Sequence, residues 1–158
     1  MSSTLIFDNC IMAALWNLIV NAKKNIKVTN YKVELGNKTK HKKIELIISL
    51  LEQKVEQGVK VEMILNRDQP NRGVARYNVP AALRLKASGI DVRFLKNGRC
   101  SHSKIVLVDN EKFYIGSHNL SVNAFCRNFE AGLIVADSVQ GSELGRFFDS
   151  QFATAEKF

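Results

Sequence analysis

The apolar run Ile105-Val-Leu-Val108, followed by Asp109-Asn110-Glu111-Lys112 and then a second run, Phe113-Tyr-Ile115, constrains this chain more than any other segment. A short continuous apolar run bounded by turn residues reads as a buried strand, so the two runs form a hairpin with its turn at 109–112. Residues i and i+2 of a strand share a face, and His102 and Lys104 at the head of the first run therefore project together. Gly116-Ser117-His118-Asn119 ends the second run with small and amide-bearing groups. Strand pairing brings these beside His102. A nucleophile, a cation and neutral donors converge at one end of the hairpin.

The rest of the chain alternates helical and strand-like patterns. Thr4 to Phe7 reads as a first strand, with Asp8 or Asn9 as the N-cap of a helix carrying Ile11, Leu15, Leu18, Ile19 and Ala22 at helical spacing. Ile26 to Thr29 is strand-like. A helix from near Thr39 places Ile44, Ile47, Ile48, Leu51 and Val55 on one face and stops at Gly58, before a strand over Val59 to Met63. Residues 66–78 read as a loop, Pro80 as the first turn of a short helix that Gly89 ends, and Ile90 to Leu95 as a strand. After the hairpin come a short helix near Leu120 to Cys126, a strand from Phe129 to Val135, and a last helix bearing Leu144, Phe147, Phe148 and Phe152. This order predicts an α/β sandwich. Trp16 and the phenylalanines of the last helix fall at helical spacing, as core or subunit-interface residues do.

A chain of 158 residues with 46% hydrophobic and 24% charged residues, and no Gly-, Ser- or Pro-rich tract, predicts one compact domain over 1–158. Three cysteines, Cys10, Cys100 and Cys126, are odd in number and lack metal-ligand spacing, which fits a reducing, cytoplasmic setting. The apolar run at 11–20 is too short to span a membrane, and its lysines follow rather than precede it. The formal charge of +8 favours an anionic partner. Between Lys23 and Lys43 stand eight lysines and one acid, Glu34. Lys38, Lys40, Lys42 and Lys43, with Arg67, Arg72 and Arg76, are the candidate polyanion contacts.

His102-x-Lys104-x4-Asp109 followed by Gly116-Ser117-x-Asn119, with Glu130 further on, resembles the signature of the phospholipase D superfamily. The resemblance implies an α-β-α sandwich with a central mixed sheet and a phosphodiesterase that needs no metal or cofactor. It implies that His102 attacks phosphorus to form a phosphohistidine, that Lys104 and Asn119 hold phosphoryl oxygens, and that Glu130 accepts a hydrogen bond from the imidazole. Ser117 either adds a hydroxyl donor or shapes the turn beside Gly116. Asp109, at a hairpin turn, is read as architectural, capping backbone N–H groups. His118, on the opposite strand face, and His41, among lysines, receive no catalytic role.

One copy of the signature is present, as in the bacterial endonucleases of the family that build one site across a homodimer. The leading expectation is a homodimeric nuclease acting on DNA or RNA with its site at the two-fold interface. A phospholipase D or phosphatidyltransferase acting on phospholipid is the alternative, although no membrane anchor is evident. A catalytically idle nucleic-acid-binding module is the third.

Overall fold

The structure, a computed structural model, describes residues 1–67, 73–96 and 99–158. Its strands are β1 (Ser2–Phe7), β2 (Asn25–Thr29), β3 (Lys60–Leu65), β4 (Asp91–Phe94), β5 (Ile105–Val108), β6 (Lys112–Gly116), β7 (Ala131–Ala136) and β8 (Glu156–Lys157). The helices are α1 (Ile11–Val20), α2 (Lys42–Glu56), α3 (Ala75–Ala87), α4 (Val122–Cys126) and α5 (Ser138–Thr154). Among the described residues the strands form one mixed sheet in the order β1-β7-β6-β5-β2-β3-β4-β8. β2, β3 and β4 run parallel, linked through α2 and α3, and the remaining pairings are antiparallel.

Alternation along each strand sorts the core into two layers. Val106, Val108, Ile26, Val28, Val61 and Met63 point to the face covered by α1, α2, α3 and α4, where most of the buried side chains gather. Ile105, Leu107, Phe113 and Val135 point to the other face, onto Leu144 of α5, and Ile64 meets Phe148 and Phe152 of the same helix. The α/β sandwich predicted from the alternation of elements is therefore the fold. Its layers are unequal. Among the described residues one helix serves the α5 face and leaves the β1–β7–β6 end bare, where Leu5 and Phe7 stay 66% and 55% exposed. Trp16 is also partly exposed on α1.

Several boundaries differ from those read in the sequence. α3 begins at Ala75, so Pro80 sits inside it rather than in its first turn. The early turns are held by tertiary bonds: Asn78 Oδ1 accepts from the Val33 N–H, and its Nδ2 donates to the carbonyls of Tyr31 and Asn66. Neither Asp8 nor Asn9 caps α1. A 3-10 turn over Asp8–Cys10 intervenes, and the two side chains serve distant partners, Asp8 the N–H of Glu130 and Asn9 the ammonium of Lys43. The helix near Thr39 opens as a 3-10 turn over Thr39–His41 before α2 starts at Lys42. The two-residue strand β8 carries no pattern a reader of sequence would notice.

Candidate active site

The carboxyl ends of β2, β3, β6 and β1 and the amino ends of β5 and β7 meet at one edge of the sheet, as the pairings Thr29 with Ile105, Gly116 with Gly132, and Phe7 with Ala131 require. Ligands of open α/β sheets bind at such edges, because the loops there converge from several strands. His102, Lys104, Ser117, Asn119 and Glu130 flank this edge, whereas Asp109 lies at the opposite end of β5.

Lys104 is 3% exposed although it carries an ammonium group. Its Nζ lies 3.1 Å from His102 Nδ1 and donates to the His102 carbonyl at 2.5 Å. No carboxylate among the described residues pairs with it. Burial pushes its pKa below the usual lysine range, and the charges of Glu130 and Cys100 offset this only in part. The His102 side chain is exposed and its ring lies against Tyr31, with centroids 5.0 Å apart. Lys104 Nζ also sits 5.5 Å over the Tyr31 ring.

Glu130 and Ser117 stand at the β6–β7 end of the same edge. Ser117 Oγ donates to Glu130 Oε2 and accepts from the N–H of Ala131 at 3.1 Å, while Asn128 Nδ2 donates to Glu130 Oε1 at 2.9 Å. Ser117 thus both closes the β6–β7 end and orients the acid. The Glu130 backbone is fixed as well: its N–H donates to Asp8 Oδ1 at 2.8 Å and its carbonyl accepts from the Asp8 N–H at 3.0 Å. Asp8 holds a φ of +44° to make this double contact, a left-handed conformation Asp tolerates better than most residues. A Cβ at Gly116 would overlap the Tyr114 hydroxyl and approach the Ala131 carbonyl at 2.7 Å, which accounts for glycine there. Asn119 is half-buried, and its Oδ1 is shielded from solvent without a hydrogen-bond partner among the described residues.

The two remaining members of the signature region behave as architecture. Asp109 accepts from the N–H groups of Lys23, Lys24 and Asn25 at 2.9, 2.7 and 2.9 Å, tying the hairpin turn to the start of β2. Burial alone would raise its pKa, but those three bonds and the charge of Lys24 outweigh it and hold the carboxyl below its usual range. His118 is buried, with Tyr114 Oη 2.7 Å from Nδ1 and the Asp8 carbonyl 3.2 Å from Nε2. A carbonyl only accepts, so Nε2 carries the proton and Nδ1 receives the phenol's. Burial keeps this imidazole below its ordinary pKa and pushes the Tyr114 phenol up to about 12.

Three asparagines that sequence reading did not single out hold the loops of the site. Asn66 clamps Ser101, next to His102, accepting from its N–H at 3.0 Å and donating to its carbonyl at 2.9 Å. Asn78 binds the Asn66 carbonyl at 2.8 Å, and Asn30 Oδ1 accepts from the N–H of Leu120, next to Asn119, at 3.2 Å. All three are buried. An amide both donates and accepts, which suits irregular backbone that a strand ladder no longer satisfies. The available signal is position: Asn30 and Asn66 each directly follow a strand.

The model of the family described as "Cardiolipin synthase, PLD-like domain" matches residues 15–152. The chain belongs to the phospholipase D superfamily. Its sequence is 28% identical over 145 residues to the 5'-3' exonuclease PLD3 of Xenopus laevis, covering 85% of this chain and 28% of that protein. It is 28% identical over 114 residues to cardiolipin synthase A of Pseudomonas aeruginosa, covering 72% of this chain and 23% of the synthase. The chain thus spans about a quarter of the length of these two relatives. Its fold matches the phospholipase D family member Nuc from Salmonella typhimurium with a TM-score of 0.81 at 17% identity, over 99% of both chains.

The candidate basic residues of this phospholipase D-like chain have different surroundings. Lys38 and Lys42 line an open groove of about 710 Å³ between the start of α2 and α3, in which Arg84 pairs with Glu45. Lys40 is exposed beside them, and Lys43 donates to Asn9. Arg67 is ion-paired to Glu156 at 3.0 Å, and Arg76 stacks on Tyr77, donating to its hydroxyl at 3.1 Å. Arg72 lies outside the described residues. No helix among the described residues is long and apolar enough to cross a membrane, and no group of three or more His, Cys, Asp or Glu side chains there could hold a metal ion.

Proposed function

We propose that this chain is a metal-independent nuclease that cleaves a phosphodiester of DNA or RNA as a homodimer, through a phosphohistidine on His102. The observation that carries the reading is the buried ammonium of Lys104, which rests on His102 with no carboxylate among the described residues ion-paired to it. A desolvated cation without a counter-ion is costly in a resting protein and suits an anionic substrate oxygen that enters the site. A phosphoryl oxygen takes over the ammonium and frees an imidazole lone pair for attack. Asn119, through its Nδ2, and Lys104 then steady the negative charge on the phosphoryl oxygens. Glu130, held by Ser117 and Asn128, accepts from the N–H on the other ring nitrogen and favours the charged ring that forms.

In-line displacement also needs an acid on the far side of phosphorus, to protonate the oxygen whose bond to phosphorus breaks. One chain supplies one such histidine. The partner subunit's His102 is that acid, and it later takes a proton from the water that releases the phosphohistidine. Support for a second copy comes from the bare end of the α5 face: Leu5, Phe7 and Ile115 are exposed there, paired across the sheet with Leu133 and Ala131, next to Ser117 and Glu130. Exposed apolar surface of this kind marks an interface.

The test is a panel of labelled DNA, RNA and phospholipid vesicles incubated in excess chelator with the wild type and with His102→Ala. Chelator-resistant cutting of nucleic acid, lost in the variant, is expected, together with a phospho-adduct on His102 in quenched reactions. Restoration of cutting only by added magnesium would overturn the mechanism. Headgroup release in place of nucleic-acid cleavage would move the substrate to phospholipid, the class named by the cardiolipin synthase relatives.

A further inference from the structure

Beside His102, on the α5 face, opens a cavity of about 580 Å³ between the 99–103 loop and the last turns of α5. That volume lies in the range of small-ligand sites and exceeds what one phosphate group fills. His102 lines one side, with Leu95, Arg99, Phe147, Ser150 and Gln151 among the other walls. Phe147 is half exposed here, although its neighbour Phe148 is buried in the core. Gln151 stands one helical turn from Phe147 and so shares its face of α5. The Ser150 hydroxyl is engaged by the Phe147 carbonyl at 2.8 Å. The half-buried Gln151 amide, in contrast, makes no side-chain hydrogen bond among the described residues.

We propose that this cavity is a nucleobase subsite, receiving the unpaired base next to the scissile phosphate, with its ring on Phe147 and its edge on the Gln151 amide. The inference rests on the nuclease reading and adds to it a preference for single strands. Stacking on an aromatic ring accepts any base, because every base has a π-face, and the edge of an unstacked base is open to an amide. Arg99, exposed at the cavity, suits the adjoining phosphate. Ser101, Ser103 and Ser150 share these walls with the guanidinium and the amide, so the cavity offers polar edges beside its aromatic face. A base still paired in a duplex cannot enter without being flipped out, which costs unpairing and unstacking.

The test compares kcat/KM on three substrates: an oligonucleotide with one cleavable diester, the same strand with abasic residues flanking that diester, and bis(p-nitrophenyl) phosphate, which has no base. Wild type, Phe147→Ala, Phe147→Tyr and Gln151→Leu are measured on each. Phe147→Ala is expected to lose about tenfold on the intact oligonucleotide, chiefly through KM, and much less on the small diester. Phe147→Tyr restores the loss, Gln151→Leu shows a smaller loss of the same kind, and wild type cuts the abasic strand about as slowly as Phe147→Ala cuts the intact one. Equal losses on all three substrates, no loss on the oligonucleotide, or equal cutting of duplex and single strand by wild type would overturn the subsite. Wild type that hydrolyses the small diester but no oligonucleotide removes the nuclease reading and the subsite together, a pattern distinct from failure of the subsite alone.

Discussion

Strand β5 has a charged residue beyond each of its ends, and the protein treats the two in opposite ways. Asp109, at the turn, is surrounded by three backbone N–H groups that lower its pKa by favouring the charge. Lys104, at the open edge, has its pKa lowered because burial disfavours the charge. The same direction of shift means a stabilised ion in an acid and a destabilised one in a base. One end of the strand is therefore organised for folding. The other holds a cation in a state that a phosphoryl oxygen would relieve.

The sharpest way to break this contrast is His102→Ala, which should reduce turnover on the order of 10⁴-fold or more while thermal unfolding stays at the wild-type midpoint. Next, Lys104→Met should lose about 10²- to 10³-fold in kcat, as when a charge-stabilising donor is removed, with stability unchanged or raised in urea titrations because the desolvation cost is gone. Asp109→Ala should do the reverse. It leaves three N–H donors unsatisfied and a side chain that disfavours the φ of +55° found there, so unfolding free energy should fall by about 2–3 kcal/mol while activity per folded molecule persists.

The pH dependence of stability separates the two ends more gently. Asp109 has a lowered folded pKa, so its contribution is complete above the unfolded carboxylate value and drains away as pH falls through the folded one. Asp109→Asn should flatten that acid limb of a denaturation series. Lys104 binds fewer protons folded than unfolded between its lowered pKa and the ordinary value near 10.5, so wild type should gain on Lys104→Met as pH rises through that window. The smallest effect belongs to the exposed surface cations. Replacing Lys40 or Lys42 by Ala should reduce the slope of log binding against log salt by about one for each lysine that contacts a phosphate.

What could be read without coordinates was local. The β5–β6 hairpin, the helical stripes of α1 and α2 and the stop at Gly58 all follow from neighbours within a few positions, whereas the N–H groups that Asp109 caps lie 84–86 positions away. The asparagine clamps did not show, because Asn66 answers Ser101 across 35 positions and Asn30 answers Leu120 across 90. Their chemistry is set by which loops the sheet order brings together. The early start of α3 was hidden for the same reason, since Asn78 gains bonds from Tyr31, Val33 and Asn66 that no helix propensity encodes. Ser117 was left between two roles by its sequence, and its hydroxyl serves both the strand end and Glu130.

The left-handed turn at Asp8 ties the tail of the opening strand to an acid 122 positions further along. Trimming the chain ahead of α1, a routine step in shortening a protein for expression, would spare most of the core yet unmoor Glu130 from its backbone anchor. Such a truncated protein would melt cooperatively and still turn over poorly, a failure easily mistaken for damage at the histidine itself.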